Sequence, residues 1–134
     1  MATITIIDNA DISLWFHEEG KIVHHQLHRF LKGDPLRSTL LKGVELLRDR
    51  NACKWLSDDR LGGSLTPEDS EWGATVFASK AIEAGWKYWA LILPEIILGQ
   101  LNMNLAIDDY TRKGLIIKLF TNSEEALNWL KSVE

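Results

Sequence analysis

The order of strand-like and helix-like segments restricts the fold of this chain more than any other feature of its sequence. β-branched and aromatic runs at 3–8 and 12–16 are followed by a return strand at 21–30, with a glycine-containing hairpin turn at 18–20. After this meander, amphipathic segments alternate with short apolar runs. Such alternation requires parallel strands joined by right-handed crossovers. The sequence therefore predicts one α/β domain over residues 1–134, a mixed sheet with N-terminal antiparallel strands, then parallel βα units, flanked by about four helices.

Helix-start signals divide the rest of the chain. Asp34 is expected to cap the first helix, with Pro35 at its first position, and Thr66 precedes Pro67 in the same arrangement. A polar residue at 122–123 is expected to cap the last helix. The predicted helices are 35–50, 67–84, 94–110 and 124–133, and the strands between them are 52–57, 86–93 and 115–120.

Helical periodicity predicts which side of the second helix is buried. Its inward residues are expected to be Trp72, Val76, Phe77, Ala81 and Ala84, with the glycine at 85 as the C-cap. In the third helix, the polar run 99–104 is expected to face solvent or another subunit.

Composition excludes several classes of protein. The chain is 46% hydrophobic and 25% charged, which is ordinary for a globular domain. Its net charge of −4, with no basic stripe, argues against a nucleic-acid surface. The longest apolar stretch, 88–98, is interrupted by Pro94 and Glu95, so no membrane span is expected. Cys53 is the only cysteine and the N-terminus reads as a strand, so a cytoplasmic protein without disulfides is predicted.

The segment 54–72 is predicted to contain the site of ligand or partner binding, because a strand-to-helix loop lies at the carboxyl edge of a sheet, where ligands usually bind. Neighbouring Asp58 and Asp59 suggest acid–base or Mg²⁺ chemistry, but adjacent strand-end residues point in different directions. We expect one of them to pair with Arg60 or cap a turn. No phosphate-binding glycine motif, catalytic residue or cofactor is predicted. The candidate partner or ligand contacts are Ser57, Asp58, Asp59, Arg60, Ser64, Thr66 and Trp72.

Four histidines, His17, His24, His25 and His28, invite a metal-site hypothesis. On a helix, His24 and His28 would share one face. On the strand favoured by the local alternation they lie about 13 Å apart, and His25 points to the opposite face. We therefore expect half-exposed sheet histidines and no metal.

Six tryptophans are numerous for 134 residues. The simplest interpretation is a tryptophan-rich core. Two alternatives remain. The rings could line a pocket for a small apolar molecule oriented by Asp58, Arg60 or His24, or they could form an aromatic homodimer face.

Three segments carry a family resemblance: KWLSDD, GWKYWALILPE and LFTNSEEALNWL, as consecutive parallel strands and the last helix. With this element order, the chain resembles the STAS-like domains, typified by the anti-sigma-factor antagonists of sporulating bacteria. In those antagonists a serine or threonine in the loop that matches 57–66 is phosphorylated by a partner kinase. The Asp-Ser-Ser/Ala-Gly signature of that loop is absent here. Ser57, Ser64 and Thr66 are the residues that a phosphoswitch would use.

The leading hypothesis is a non-catalytic, regulatory STAS-like module that binds a protein partner or a second copy through the 57–66 loop and the following helix start. The alternatives are a binding protein or enzyme for a small molecule or lipid, with an aromatic-lined pocket, and a kinase-controlled phosphoswitch.

Overall fold

A single six-stranded sheet organises the chain. The structure, a computed structural model, describes residues 2–94 and 103–133, and within them all side chains except those of 103–107. β1, β2 and β3 pair antiparallel, whereas β3, β4, β5 and β6 pair parallel, and each strand pairs with its neighbours in sequence. The predicted mixed sheet is therefore confirmed. The strands are β1 (Thr3–Asp8), β2 (Ile12–His17), β3 (Ile22–Leu27), β4 (Lys54–Asp58), β5 (Tyr88–Ile92) and β6 (Ile116–Phe120).

Helices connect the parallel strands and follow the last one. A π-helical segment, Gly73–Phe77, joins α2 to α3. Within the described residues, no helix is both long and apolar enough to cross a membrane. The helices are α1 (Asp34–Asp49), α2 (Pro67–Trp72), α3 (Ala78–Glu83), α4 (Met103–Arg112) and α5 (Ser123–Ser132).

The two faces of the sheet carry separate apolar cores, because side chains alternate along each strand. On one face, which we call the α1 face, Val23 and Trp55 pack with Leu47 of α1 and Phe77 of the π segment. On the other, the α5 face, apolar strand residues pack against α5 through Ala126 and Leu130: Ile22, Leu56, Ala90 and Ile92. The sheet is thus covered on both sides over β3, β4 and β5, whereas Ile116 of β6 is 45% exposed.

The start of α1 differs from the sequence prediction. Gly33, not Asp34, is the N-cap, because its carbonyl accepts the first helical hydrogen bond from the N–H of Arg37 (2.9 Å). β3 also ends earlier than predicted, at Leu27. Its antiparallel partner β2 begins at Ile12, opposite Leu27, so the residues beyond have no strand to pair with there.

The second predicted helix contains the π segment, which moves its buried stripe. Val76 was expected to face the core and is 39% exposed instead. The wider i→i+5 turn shifts the inward positions by one residue, so that Phe77 and Ala78 are both buried. Gly85 follows the predicted helix end with a φ of 121°, a conformation that favours glycine.

The third predicted helix is described only in its second half, where α4 extends to Arg112. Of its predicted start at 94–95, only Pro94 is described, and the expectation for 99–104 concerns residues and side chains outside the described ones. At the end of the chain, Asn122 caps α5 by accepting from the N–H of Glu125 (2.9 Å), one of the two caps predicted.

Candidate functional site

A cavity of about 520 Å³ opens on the α1 face at the carboxyl ends of β3, β4 and β5. α1, α2 and the π segment form its walls, and Tyr110 of α4 joins them. Ligands of α/β proteins bind most often at this edge of the sheet. The lining residues are His25, Leu27, Leu36, Leu40, Ser57, Asp59, Arg60, Gly63, Ser64, Leu65, Asp69, Ser70, Trp72, Gly73, Phe77, Trp89, Leu91, Leu93, Pro94 and Tyr110.

Most of the cavity wall is apolar and aromatic. Leu36 and Leu40 stand one turn apart on α1 and therefore share one side of that helix. On the opposite wall, the rings of Trp89 and Tyr110 meet edge to face, with centroids 4.9 Å apart. Burial raises the pKa of Tyr110 to about 12, with a smaller contribution from Asp109, so its hydroxyl stays protonated. A bound molecule would meet rigid hydrophobic surfaces on several sides.

A chain of hydrogen bonds ends at the cavity. The indole N–H of Trp55 donates to Nδ1 of His25 (2.9 Å). Since an indole nitrogen can only donate, Nδ1 of His25 is an acceptor and the ring proton lies on Nε2. Nε2–H donates to Oδ1 of Asp59 (2.9 Å). The backbone N–H of Asp59 also donates to the carbonyl of Ile92 (3.1 Å), which fixes this residue between β4 and β5.

A second polar group stands beside this chain. The indole N–H of Trp89 donates to Oγ of Ser57 (2.8 Å). This bond occupies an acceptor position of the hydroxyl and leaves its proton available to a molecule in the cavity. Ser57 itself is buried.

Asp58 points to the α5 face and does not line the cavity. Its carboxylate binds Arg60 through both oxygens: Nε donates to Oδ1 (3.0 Å) and Nη2 to Oδ2 (2.7 Å). Nη1 of Arg60 also donates to the carbonyl of Thr121 (3.2 Å). The bond with Asp58 raises the pKa of Arg60. Thus the expected pairing of one aspartate with Arg60 is observed, and the two aspartates point in different directions.

Asp69 ties α2 to the start of α1. Its carboxylate accepts from the N–H of Gly33 (2.9 Å) and from Nε of Arg37 (2.8 Å). Burial raises the pKa of Asp69, but these bonds and that of Thr66 outweigh burial and lower it overall. The guanidinium of Arg37 also lies over the ring of Trp72, 5.2 Å from its centroid.

The loop between β4 and α2 closes one side of the cavity. A Cβ at Gly62 would stand 2.4 Å from Cδ1 of Leu27, so a larger residue here would require the side chain of Leu27 to shift. Gly63 has a φ of 69°, in the left-handed region. Thr66 caps α2, its hydroxyl accepting from the N–H of Asp69 (3.1 Å). The loop glycines therefore have packing and conformational roles.

The cavity unites five of the seven residues proposed from the sequence: Ser57, Asp59, Arg60, Ser64 and Trp72. Asp58 and Thr66 lie outside it. Among protein-family models, curated proteins and solved structures, none matches the chain.

Sequence reasoning missed His25, Asp69, Trp89 and Tyr110 as parts of this site. The strand alternation already separated His25 from His24, and the sheet edge was the predicted place. The signal that could have selected His25 is its place near the carboxyl end of a strand adjacent to β4.

The other histidines lie on the opposite side of the sheet. Nε2 of His17 and Nδ1 of His24 are 2.9 Å apart, and the ring of Trp15 lies 4.7 Å from that of His24. His24 therefore cannot orient a ligand in the cavity. His24 and His25 are buried, not half-exposed as predicted, because neighbouring strands and ring contacts cover them. No group of three or more His, Cys, Asp or Glu among the described side chains could hold a metal ion.

Proposed function

We propose that this protein binds a small, mainly apolar molecule in the cavity at the carboxyl ends of β3, β4 and β5. The observation that carries the proposal is the cavity itself: about 520 Å³, with aromatic and leucine walls and a few fixed polar groups. Natural ligand pockets have this composition and volumes of about 300–1,000 Å³.

The hydrogen bonding of His25 favours binding over catalysis. Its Nδ1 accepts from Trp55 and its Nε2–H is donated to Asp59, so neither nitrogen offers a free lone pair to abstract a proton. The hydroxyl of Ser57 is held by the indole N–H of Trp89, not by a base. These groups are arranged to hold and orient a ligand.

The proposal can be tested with a neutral fluorescent probe, N-phenyl-1-naphthylamine. We expect its emission to rise on mixing and that of the protein's tryptophans to fall, because Trp72 and Trp89 lie in the cavity wall. Ser70→Phe, which places a ring at the cavity lining, should weaken probe binding about tenfold or more by filling volume.

Ser79→Phe is the matched control, since Ser79 is exposed on α3 and is not part of the lining. Its affinity for the probe should stay within about twofold of the original protein. No emission change with the original protein, or equal binding by the two variants, would contradict the proposed function.

We also propose that the chain is a STAS-like regulatory module. In this proposal the 57–66 loop contacts a protein partner or a second copy, and the contact depends on whether the cavity is occupied. The element order and the position of this loop at the cavity support the proposal. Leu61 and Leu65, on the same loop, are 62% and 44% exposed, which suits a contact surface. Among the three candidate phosphorylation residues, Ser64 is exposed, whereas Ser57 is buried and the hydroxyl of Thr66 caps α2.

A further inference from the structure

The charges at the cavity do not balance. Asp69 is paired with Arg37, and Arg60 is paired with Asp58. Among the described residues, the carboxylate of Asp59 is hydrogen-bonded by His25 alone, and the single ring proton of His25 makes it a neutral donor. Among the described residues that line the cavity, Asp59 is therefore the one charged group without an opposite charge beside it.

The carboxylate of Asp59 is placed to bind a ligand directly. Its side chain is 28% exposed, in contrast to 4% for Asp58. Oδ1 accepts from His25 (2.9 Å), and the backbone N–H is bonded to the carbonyl of Ile92, so the group is held in one orientation. Within the described part of the chain, Oδ2 takes part in no hydrogen bond. The site thus presents a fixed, negatively charged acceptor at the rim of an apolar cavity.

The surroundings of Asp59 suit a cation better than a neutral group. The cavity also contains the rings of Trp89 and Tyr110, and aromatic faces attract ammonium groups. A ligand carboxylate would be repelled by Asp59, and Arg60 is already bound through two of its nitrogens by Asp58.

We propose that the molecule bound in the cavity carries a protonated amine, which forms a charge-assisted hydrogen bond with Asp59. Its apolar part extends toward Leu36, Leu40 and Phe77. This inference rests on the proposed function and narrows it to amphiphilic molecules in which a basic alkylamine is joined to an apolar or aromatic group.

Three ligands with one flexible chain and different head groups test the inference: octylamine, octan-1-ol and octanoate. Their affinities follow from displacement of N-phenyl-1-naphthylamine from the protein at pH 7. We expect octylamine to bind about tenfold or more tightly than octan-1-ol, because a hydrogen bond between two charged groups is stronger than one made by a neutral hydroxyl. Octanoate should bind most weakly.

Asp59→Asn is the deciding variant, since an asparagine oxygen can still accept from Nε2–H of His25. It should reduce the affinity for octylamine to about that for octan-1-ol and change the affinity for octan-1-ol by less than about twofold. Glu68→Gln also removes one negative charge, but from an exposed residue of α2 outside the cavity lining. It should leave the order of affinities for octylamine, octan-1-ol and octanoate unchanged.

The outcomes distinguish the two proposals. Equal displacement by octylamine and octan-1-ol, or preference for octanoate, would overturn the amine inference while supporting an apolar cavity ligand. Failure of the probe and of all three compounds to bind would overturn both.

Discussion

At the scale of single residues, the position of one proton on His25 determines what the cavity offers to a ligand. A doubly protonated imidazole would direct Nδ1–H at the N–H of Trp55, and two donors cannot share that contact. The buried indole therefore favours the neutral ring with its proton on Nε2. Asp59 in turn receives a donor without receiving a positive charge. A core tryptophan thus helps to define the charge of the site.

Asp69 provides a residue-scale prediction about stability. Its side chain is 2% exposed and its net pKa lies below the ordinary value of 3.8. Its stabilising contribution is therefore present above pH 3.8 and is lost as the pH falls through the lower folded pKa. Asp69→Asn should reduce the free energy of unfolding by about 2 kcal/mol at pH 7, since the ion pair with Arg37 is lost. Urea denaturation measures this difference, which should shrink toward pH 2.5.

Glu68→Gln is the control for Asp69→Asn. It removes a charge from the same turn of α2 at an exposed position, and its effect should stay within about 0.5 kcal/mol. A difference between Asp69→Asn and the original protein that did not change between pH 7 and pH 2.5 would contradict the role assigned to the carboxylate.

Some individual residues of the site could be predicted from the sequence and others could not. Asp59 was found because it directly follows a strand, and Trp72 because it lies on the apolar side of the helix that comes next; both features are local sequence patterns. Trp89 and Tyr110 were missed because they come from β5 and α4, and they meet the others only through the tertiary packing of helices on the sheet.

At the scale of secondary-structure elements, the π segment shapes one cavity wall. Trp72 and Phe77 are five residues apart, which would place them on different sides of a regular α-helix. The i→i+5 turn brings their rings into a stacked arrangement with centroids 6.1 Å apart. Both line the cavity. The sequence predicted the helix but not this turn, because apolar residues at 72, 76 and 77 fit an ordinary helical stripe.

The contact of α1 with the sheet gives an element-scale prediction. A Cβ at Gly43 would stand 2.2 Å from Cη2 of Trp55, whose ring is 1% exposed and held by its bond to His25. Gly43→Ala should therefore lower the free energy of unfolding by about 1–2 kcal/mol, although alanine is the better helix former. Thermal or urea unfolding measures the change.

Gly73→Ala is the matched substitution. The nearest atom to its Cβ would be Oη of Tyr110, at an ordinary 3.5 Å, and the backbone φ is −62°. The helix preference of alanine should then determine the effect of Gly73→Ala, which we expect to raise the free energy of unfolding by about 0.5 kcal/mol. If Gly43→Ala were as stable as Gly73→Ala, the close contact between α1 and Trp55 would be refuted.

At the scale of the whole molecule, the two faces of the sheet have different polar contents. The α1 face carries the cavity, whereas the α5 face carries buried His24 with its neighbour His17. Burial, the largest cause, and the neighbouring ring of His17 lower the pKa of His24 to about 3. Nε2 of His24 is buried without a hydrogen-bond partner among the described residues. In the folded protein the ring of His24 therefore stays neutral, without a second proton, at neutral and mildly acidic pH.

The whole protein should consequently lose stability in mild acid. The unfolded chain binds a proton at His24 near pH 6.5, whereas the folded chain does so only near pH 3. The contribution of the neutral, buried His24 to the free energy of unfolding is fully present above pH 6.5. It decreases as the pH falls below 6.5, by up to about 1.4 kcal/mol per pH unit. His24→Gln should flatten the dependence of the unfolding free energy on pH between 6.5 and 4.5. Urea titrations at several pH values test this, and parallel curves for the two proteins would contradict it.

The strictly sequential strand order also bears on how the chain can assemble during synthesis. Because each of the strands β1 to β6 in the described part of the chain pairs only with its neighbours in sequence, the sheet can grow by addition at one edge, without inserting any of them between two earlier ones. The cavity, in contrast, cannot form step by step in the same way. It combines His25 of β3 with Tyr110 of α4, so most of the chain must leave the ribosome before the binding site is complete. The scaffold can form progressively, but the site comes together only near the end of translation.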